Sequence, residues 1–127
     1  ANVVRFGTEH LTDNGAIVLV SGAPARKAKP GQVAISSVGG AVEALARAVA
    51  AEIKPKRLNV VSPGVIDTPM FGPDAAKRAD MVKGATAKNV IPRAGEAEEV
   101  AQAILFVIEN EFVTGTTVDV DGGWLIA

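Results

Sequence analysis

The stretch RLNVVSPGVIDTPM, Arg57 to Met70, decides the reading of this chain. Leu58 to Val61 (LNVV) is a short, mainly apolar run, and Ser62-Pro63-Gly64 ends it. Such a run predicts a strand covered on both faces, as in parallel sheets. Upstream, Ala16 to Val20 (AIVLV) has the same character between Gly15 and Ser21-Gly22. Between these strands the period turns helical from about Val33 to Lys54, with Val42, Leu45, Val49 and Ile53 on one face. Lys54, Lys56 and Arg57 follow, where cations complement the helix dipole, and Pro55 stops the helix. Val3 to Leu11 reads as the last turns of another helix, with Thr12 to Gly15 as its stop. Downstream, a helix is expected near Ala75 to Lys88 and a clearer one over Glu96 to Ile108, with acidic residues in its first turn. Thr116 to Val120 alternates like a last strand, and Asp121-Gly122-Gly123 ends it. Strands separated by helices predict a parallel sheet with right-handed crossovers.

Composition narrows the chemistry. The 127 residues suit a single domain over 1–127, and 48% hydrophobic content supports an ordinary core. There is no Cys, which removes disulfides, thiolate nucleophiles and Cys-based zinc sites. The lone His10 leaves no imidazole cluster for a metal, and there is no Tyr. Thirteen basic against fourteen acidic residues give no electrostatic reason to expect nucleic acid. The basic groups Arg26-Lys27-Lys29 and Lys54-Lys56-Arg57 read as solvated surface. No apolar run approaches the length of a membrane span, and no secretory signal opens the chain, so no membrane partner and a cytoplasmic location are expected.

The order of these motifs resembles the C-terminal half of a short-chain dehydrogenase/reductase. GAIVLVSG (Gly15 to Gly22) resembles the strand leading into the active site, and AVEALARAVAAEI (Ala41 to Ile53) the long active-site helix. RLNVVSPGVIDTPM resembles the next strand and its cofactor loop, and FVTGTTVDVDGGW (Phe112 to Trp124) the final strand. The resemblance implies an α/β, Rossmann-type parallel sheet, C-terminal half only, with about three strands and flanking helices. It implies a nicotinamide cofactor, NAD or NADP with NADP ahead, and hydride transfer to or from a small carbonyl or alcohol substrate. Pro63 and Gly64 would shape the loop against the nicotinamide. The Val65 and Ile66 backbone would meet the carboxamide, and the Thr68 hydroxyl would bond the carboxamide or a phosphate. Pro63 fixes φ, Gly64 permits close backbone approach and Thr68 holds a hydroxyl in one rotamer. Asp121-Gly122-Gly123 reads as structural and near subunit contacts. A homodimer or homotetramer through helix 41–53 and the C-terminal strand is implied.

Two departures matter. No Gly-rich pyrophosphate turn is present, so the adenine and pyrophosphate half of the family's site is missing from these residues. The family's Tyr, its Lys four residues later and its Ser thirteen residues before the Tyr fall on Ile35, Gly39 and Gly22. None of the three transfers a proton. Ser21, one residue from the usual Ser position but on the opposite strand face, is the candidate catalytic residue. Ser36 and Ser37 lie beside the Tyr position but are turned away on the helix. Arg26, Lys27 and Lys29 are placed to reach a substrate carboxylate or phosphate, and His10 reads as surface. The alternative is a catalytically inactive member serving as a nucleotide-binding or assembly subunit. The substrate loop falls around Phe71 to Asn89 and carries no diagnostic motif.

Overall fold

The computed structural model describes residues 1–127. Three parallel strands run in the order β1 (Ala16–Val20), β2 (Arg57–Pro63), β3 (Thr117–Val120). Ala16 faces Arg57 and Val20 faces Val61 across the first pair; Val60 faces Thr117 and Pro63 faces Val120 across the second. The helices are α1 (Asn2–Gly7), α2 (Val33–Glu52), α3 (Ala75–Thr86) and α4 (Ala97–Glu109). The α/β parallel sheet thus matches the expected class, and the element limits differ from the sequence reading by a few residues, as end fraying allows.

β2 is central and therefore wet on neither face. Leu58, Asn59, Val60, Val61 and Ser62 are all fully buried. Alternation sends Leu58 and Val60 to one face, where they form a core with Val4 of α1, Ile17 of β1, and Ala46 and Ala50 of α2. Each fully buried aliphatic side chain of this kind contributes about 1.5–3 kcal/mol. The buried stripe of α2 is Gly39, Glu43, Ala46 and Ala50, one step round from the Val42, Leu45, Val49 and Ile53 stripe read from sequence. Those four larger residues are only half-buried and flank the core. Small side chains let α2 lie close to the sheet, and the larger ones fill the flanks. By length and composition alone α2 is long and apolar enough to cross a membrane, but Glu43 and Arg47 interrupt it and its Gly39, Glu43, Ala46 and Ala50 stripe is buried in this fold.

The other face of β2 carries Arg57, Asn59 and Val61, and α4 covers it. Arg57 belongs to no surface cluster: it is 6% exposed, at the start of β2. Its Nη1 donates to the carbonyls of Val107 (2.7 Å), Asn110 (3.1 Å) and Val113 (3.3 Å), and its Nη2 to Ile108 (2.7 Å). Val107 and Ile108 carry orphan carbonyls of the α4 C-terminus, where a cation also meets the negative end of the dipole, and Asn110 and Val113 lie in the turn that follows. Asn59 continues the tie, donating to Val113 O (2.9 Å) and accepting from Thr116 N (3.2 Å). Lys56 likewise leaves solvent to donate to Thr8 O at 2.8 Å.

The other end of α4 is braced differently. Glu99 accepts from the Glu96 backbone N–H (2.8 Å) and forms a two-pronged pair with Arg93 (2.7 and 2.9 Å). Arg93 first, then the backbone bond, holds the Glu99 carboxyl down from 4.5 to about 2.

Two outcomes follow from these ties. Arg57→Met leaves the Val107 and Ile108 carbonyls without a donor and lowers unfolding free energy by about 2–4 kcal/mol in urea denaturation, with Arg57→Lys recovering part of it. The Glu99 side-chain carbon, followed by NMR, titrates with a midpoint near 2, and Arg93→Gln returns it towards 4.5. Because the folded value is depressed, the pair's contribution is complete above about pH 4.5 and disappears as pH falls through about 2.

Candidate functional site

The carboxyl ends of the three strands meet at one edge, the place where open parallel sheets bind ligands. Ser21 N donates to Val61 O (3.0 Å), which carries β1 pairing one step past its end. Gly64 N donates to Val120 O (3.0 Å), doing the same for β2 and β3. Gly64 has a reason inside the chain that sequence reading missed. A Cβ there would stand 2.7 Å from Asp121 Cα, so the residue lets two strand ends touch rather than leaving room for a ligand alone. Asp121 holds that turn with its carboxylate, accepting from Gly123 N (2.8 Å) and Leu125 N (3.0 Å). The structural reading of Asp121-Gly122-Gly123 acquires this specific content.

The loop after β2 is clamped from two sides. Val65 O accepts from Gly95 N (2.9 Å) and Asp67 N donates to Gly95 O (2.8 Å). The Asp67 carboxylate pairs with Arg78 of α3 at 2.6 Å, and Arg78 also donates to Gly72 O (3.1 Å). Between the clamps, the N–H groups of Val65 and Ile66 donate to no protein acceptor, and the Thr68 hydroxyl has no partner. A fixed loop with two free N–H donors and a hydroxyl matches a flat amide, which offers both an acceptor and a donor. The residues fit a nicotinamide carboxamide. A cleft of about 350 Å³ beside the loop is lined by Val65, Gly95 and Asp119 to Gly123 among others. The larger hollow, about 430 Å³ between α1 and α2, contains none of these residues and lies away from the strand ends.

Ser21 Oγ donates to Glu43 Oε1 of α2 at 3.0 Å. Glu43 is 4% exposed, and Arg26 Nε lies 3.4 Å from its other oxygen. Arg26 also grips the Asp119 carboxylate of β3 with two bonds, one of 3.0 Å. The Asp119 bond, with charge from Asp119, Glu43 and Asp121, raises the guanidinium pKa against the opposing effect of burial. Lys27 donates to Trp124 O (3.1 Å) and Ala127 O, and Lys29 Nζ sits 3.9 Å above the Trp124 ring. The expectation that Arg26, Lys27 and Lys29 reach for a substrate anion is corrected: all three are turned onto the chain's own C-terminal segment.

At the three positions aligned with the family's relay, Gly22 lies with Pro63 O 3.7 Å from its would-be Cβ. Ile35 is 57% exposed. Gly39 is buried, with its would-be Cβ 2.9 Å from Ala25 Cβ, so the loop after β1 occupies the room a side chain would need. Ser36 Oγ donates to Pro24 O (2.7 Å), which fastens that loop. Ser37 is exposed, and His10 lies in an exposed 3₁₀ turn. Pro63, Gly64, Val65, Ile66 and Thr68 are thus brought together at the edge, with Ser21 beside them. Glu43 and Asp119 were not foreseen. The available signal was a carboxylate four residues after Gly39, on the same helical face, in an otherwise Ala-rich helix.

Comparison with known proteins agrees with this geometry. A family model described as enoyl-(acyl carrier protein) reductase matches residues 1–125. The short-chain dehydrogenase/reductase ATR9 of Stachybotrys chlorohalonatus is 37% identical over 119 residues, which are 94% of this chain and 46% of the relative. Cyclopentanol dehydrogenase of Comamonas testosteroni is 39% identical over 116 residues, 87% of this chain and 45% of the relative. A small-chain dehydrogenase solved in complex with NADPH superposes with a TM-score of 0.91 at 34% identity, over 98% of this chain and 57% of that one. The chain spans somewhat under half the length of the curated relatives it matches. With the three-stranded parallel sheet, the clamped Pro63–Thr68 loop and a family match over nearly every residue, this chain belongs to the short-chain dehydrogenase/reductase family of oxidoreductases.

Proposed function

We propose that the protein carrying this chain is an NAD(P)-dependent oxidoreductase that interconverts a small alcohol and its carbonyl partner. The observation that carries this reading is the pair of undonated N–H groups at Val65 and Ile66, beside the unpartnered Thr68 hydroxyl, in a loop held rigid by Gly95 and Arg78. When bound, the nicotinamide supplies or accepts the hydride. The chain's part is to grip the carboxamide through Val65, Ile66 and Thr68, with Pro63 and Gly64 setting the loop's departure from β2. Rigid placement of that ring against the substrate carbon is where a positioning site gains most of its rate. Ser21 is the hydroxyl we assign to the substrate oxygen.

The NADPH complex of a 34% identical neighbour supports NADP ahead of NAD. The cyclopentanol dehydrogenase relative makes cyclopentanol and cyclopentanone the first substrate probes. A second reading, a nucleotide-binding subunit without turnover, is favoured by one observation: Ala25 fills the place beside Gly39.

Titration of NADPH, followed through its own fluorescence, is expected to saturate, and Thr68→Val to weaken binding by about 2- to 10-fold, the worth of one neutral hydrogen bond. No saturable binding by the full chain overturns the reading. Binding without oxidation of any alcohol in a panel that includes cyclopentanol selects the non-catalytic one. Gly64→Ala drives a methyl into the Asp121 backbone, and is expected to lower the thermal midpoint and NADPH affinity together.

A further inference from the structure

We propose that Glu43 is the proton acceptor of this site and that Ser21 hands the proton to it, so that the site is built to hold the alcohol rather than the carbonyl form of its substrate. This deepens the hydride-transfer reading above and rests on it.

The direction of one hydrogen bond decides which form the site holds. An ionised carboxylate can only accept, and a serine hydroxyl has one proton to give. Ser21 spends that proton on Glu43 Oε1, at 3.0 Å. Only lone pairs remain on Ser21 Oγ. A hydroxyl that polarises a carbonyl must donate to it, and Ser21 has nothing left to donate. It can accept from an alcohol O–H.

Glu43 is well placed to enforce this. It is 4% exposed, so water does not compete freely for its oxygens. The groups facing it are Ser21 from the end of β1, Arg26 from the following loop, and Asp119 of β3 through Arg26. Its neighbours on the buried stripe of α2, Gly39 and Ala46, carry no charge. Arg26 holds the second carboxylate oxygen and is itself fixed by Asp119, so the acceptor is oriented as well as buried. Ser62, one pairing step across from Ser21, is fully buried and its hydroxyl has no partner. Ser21, Ser62 and Asp119 therefore form a polar row that ends the sheet on the α2 face.

The step balances without an added reagent. The carbinol carbon gives its hydride to the oxidised nicotinamide. The alcohol proton moves to Ser21 Oγ as the Ser21 proton moves to Glu43 Oε1. The C=O double bond forms from the electron pair of the broken O–H bond. Glu43 then returns its proton to water.

The test compares the full chain with Glu43→Gln and Ser21→Ala. Far-UV circular dichroism and the emission of Trp124, the single tryptophan, check that each variant is folded. With NADP⁺ and cyclopentanol, the unaltered protein is expected to oxidise the alcohol. Glu43→Gln is expected to lose about 10²-fold in rate. A second readout involves no turnover: ligand-observed NMR of the two non-reacting complexes, NADPH with cyclopentanol and NADP⁺ with cyclopentanone. The unaltered protein is expected to hold the alcohol about 2- to 10-fold tighter than the ketone. The amide introduced by Glu43→Gln can donate to Ser21 Oγ and free its proton, so this substitution narrows or reverses that ratio. Normal oxidation by Glu43→Gln, or no alcohol preference in the unaltered protein, overturns the proposal and leaves the hydride-transfer reading standing. An unaltered protein that binds no NADPH overturns both.

Discussion

The buried guanidinium of Arg57 is the constraint on which the far end of the sheet depends. It has no carboxylate; its charge is spread over four carbonyls at the end of α4 and in the turn that follows. A buried cation is costly unless its donors are satisfied, and Nε here has no partner, so the carbonyls that meet the two Nη groups must stay within their reach. That requirement fixes residues 107–113 against the start of β2. Asn59 fixes Val113 and Thr116 two residues on, and β3 then pairs with β2 from Val60 and Thr117 onward. At the other end the register delivers Asp121 against Gly64, with no space for a Cβ between them. The Pro63–Thr68 loop starts at that contact. A substitution at the bottom of β2 is thereby coupled, through register alone, to the geometry at its top.

A second set of ties closes the same edge from the side of α2. Glu43, Arg26 and Asp119 join the helix, the loop after β1 and the last strand. Lys27 and Lys29 join that loop to the C-terminal turn, and Gly39 lets Ala25 rest on the helix. Exposed ion pairs contribute little, but this one includes a nearly buried carboxylate and a two-pronged contact, which makes geometry its main product. The loop that would otherwise hang over the strand ends is part of the wall.

Much of the fold was legible from sequence because apolar runs and period changes report burial directly. LNVV is mainly apolar because both faces of its central strand are covered, AIVLV because it pairs beside it, and Glu96 to Ile108 announced itself by acidic residues at its start. The Pro63–Thr68 loop was legible from its motif, and the two N–H groups without acceptors sit inside that motif. What failed was the sorting of polar residues. Arg57 reads as surface because charged residues usually are, and only the carbonyls of a helix fifty residues away reveal otherwise. Arg26, Lys27 and Lys29 read as ligand-seeking because their partners, Asp119 and Trp124, are distant in sequence. The α2 stripe was misplaced for a different reason: periodicity ranks large apolar residues, whereas close packing on a sheet selects Gly and Ala.

The same misplacement hid Glu43. On the stripe of larger residues it would face solvent, but on the stripe of small ones it lies four residues below Gly39, directly under the strand ends. Loss of the Tyr and Lys positions and the presence of this carboxylate belong to one arrangement. An ammonium at position 39 would need the volume that Ala25 occupies, and it would stand one helical turn from Glu43, where the two would pair and withdraw the carboxylate from Ser21. With glycine there, the loop closes down, Arg26 approaches the carboxylate from the far side, and the remaining oxygen is left to Ser21. The proton-accepting group is thereby moved from the helix surface to a buried acid behind a strand-end hydroxyl. Such a site selects its substrate by whether the reacting oxygen carries a hydrogen.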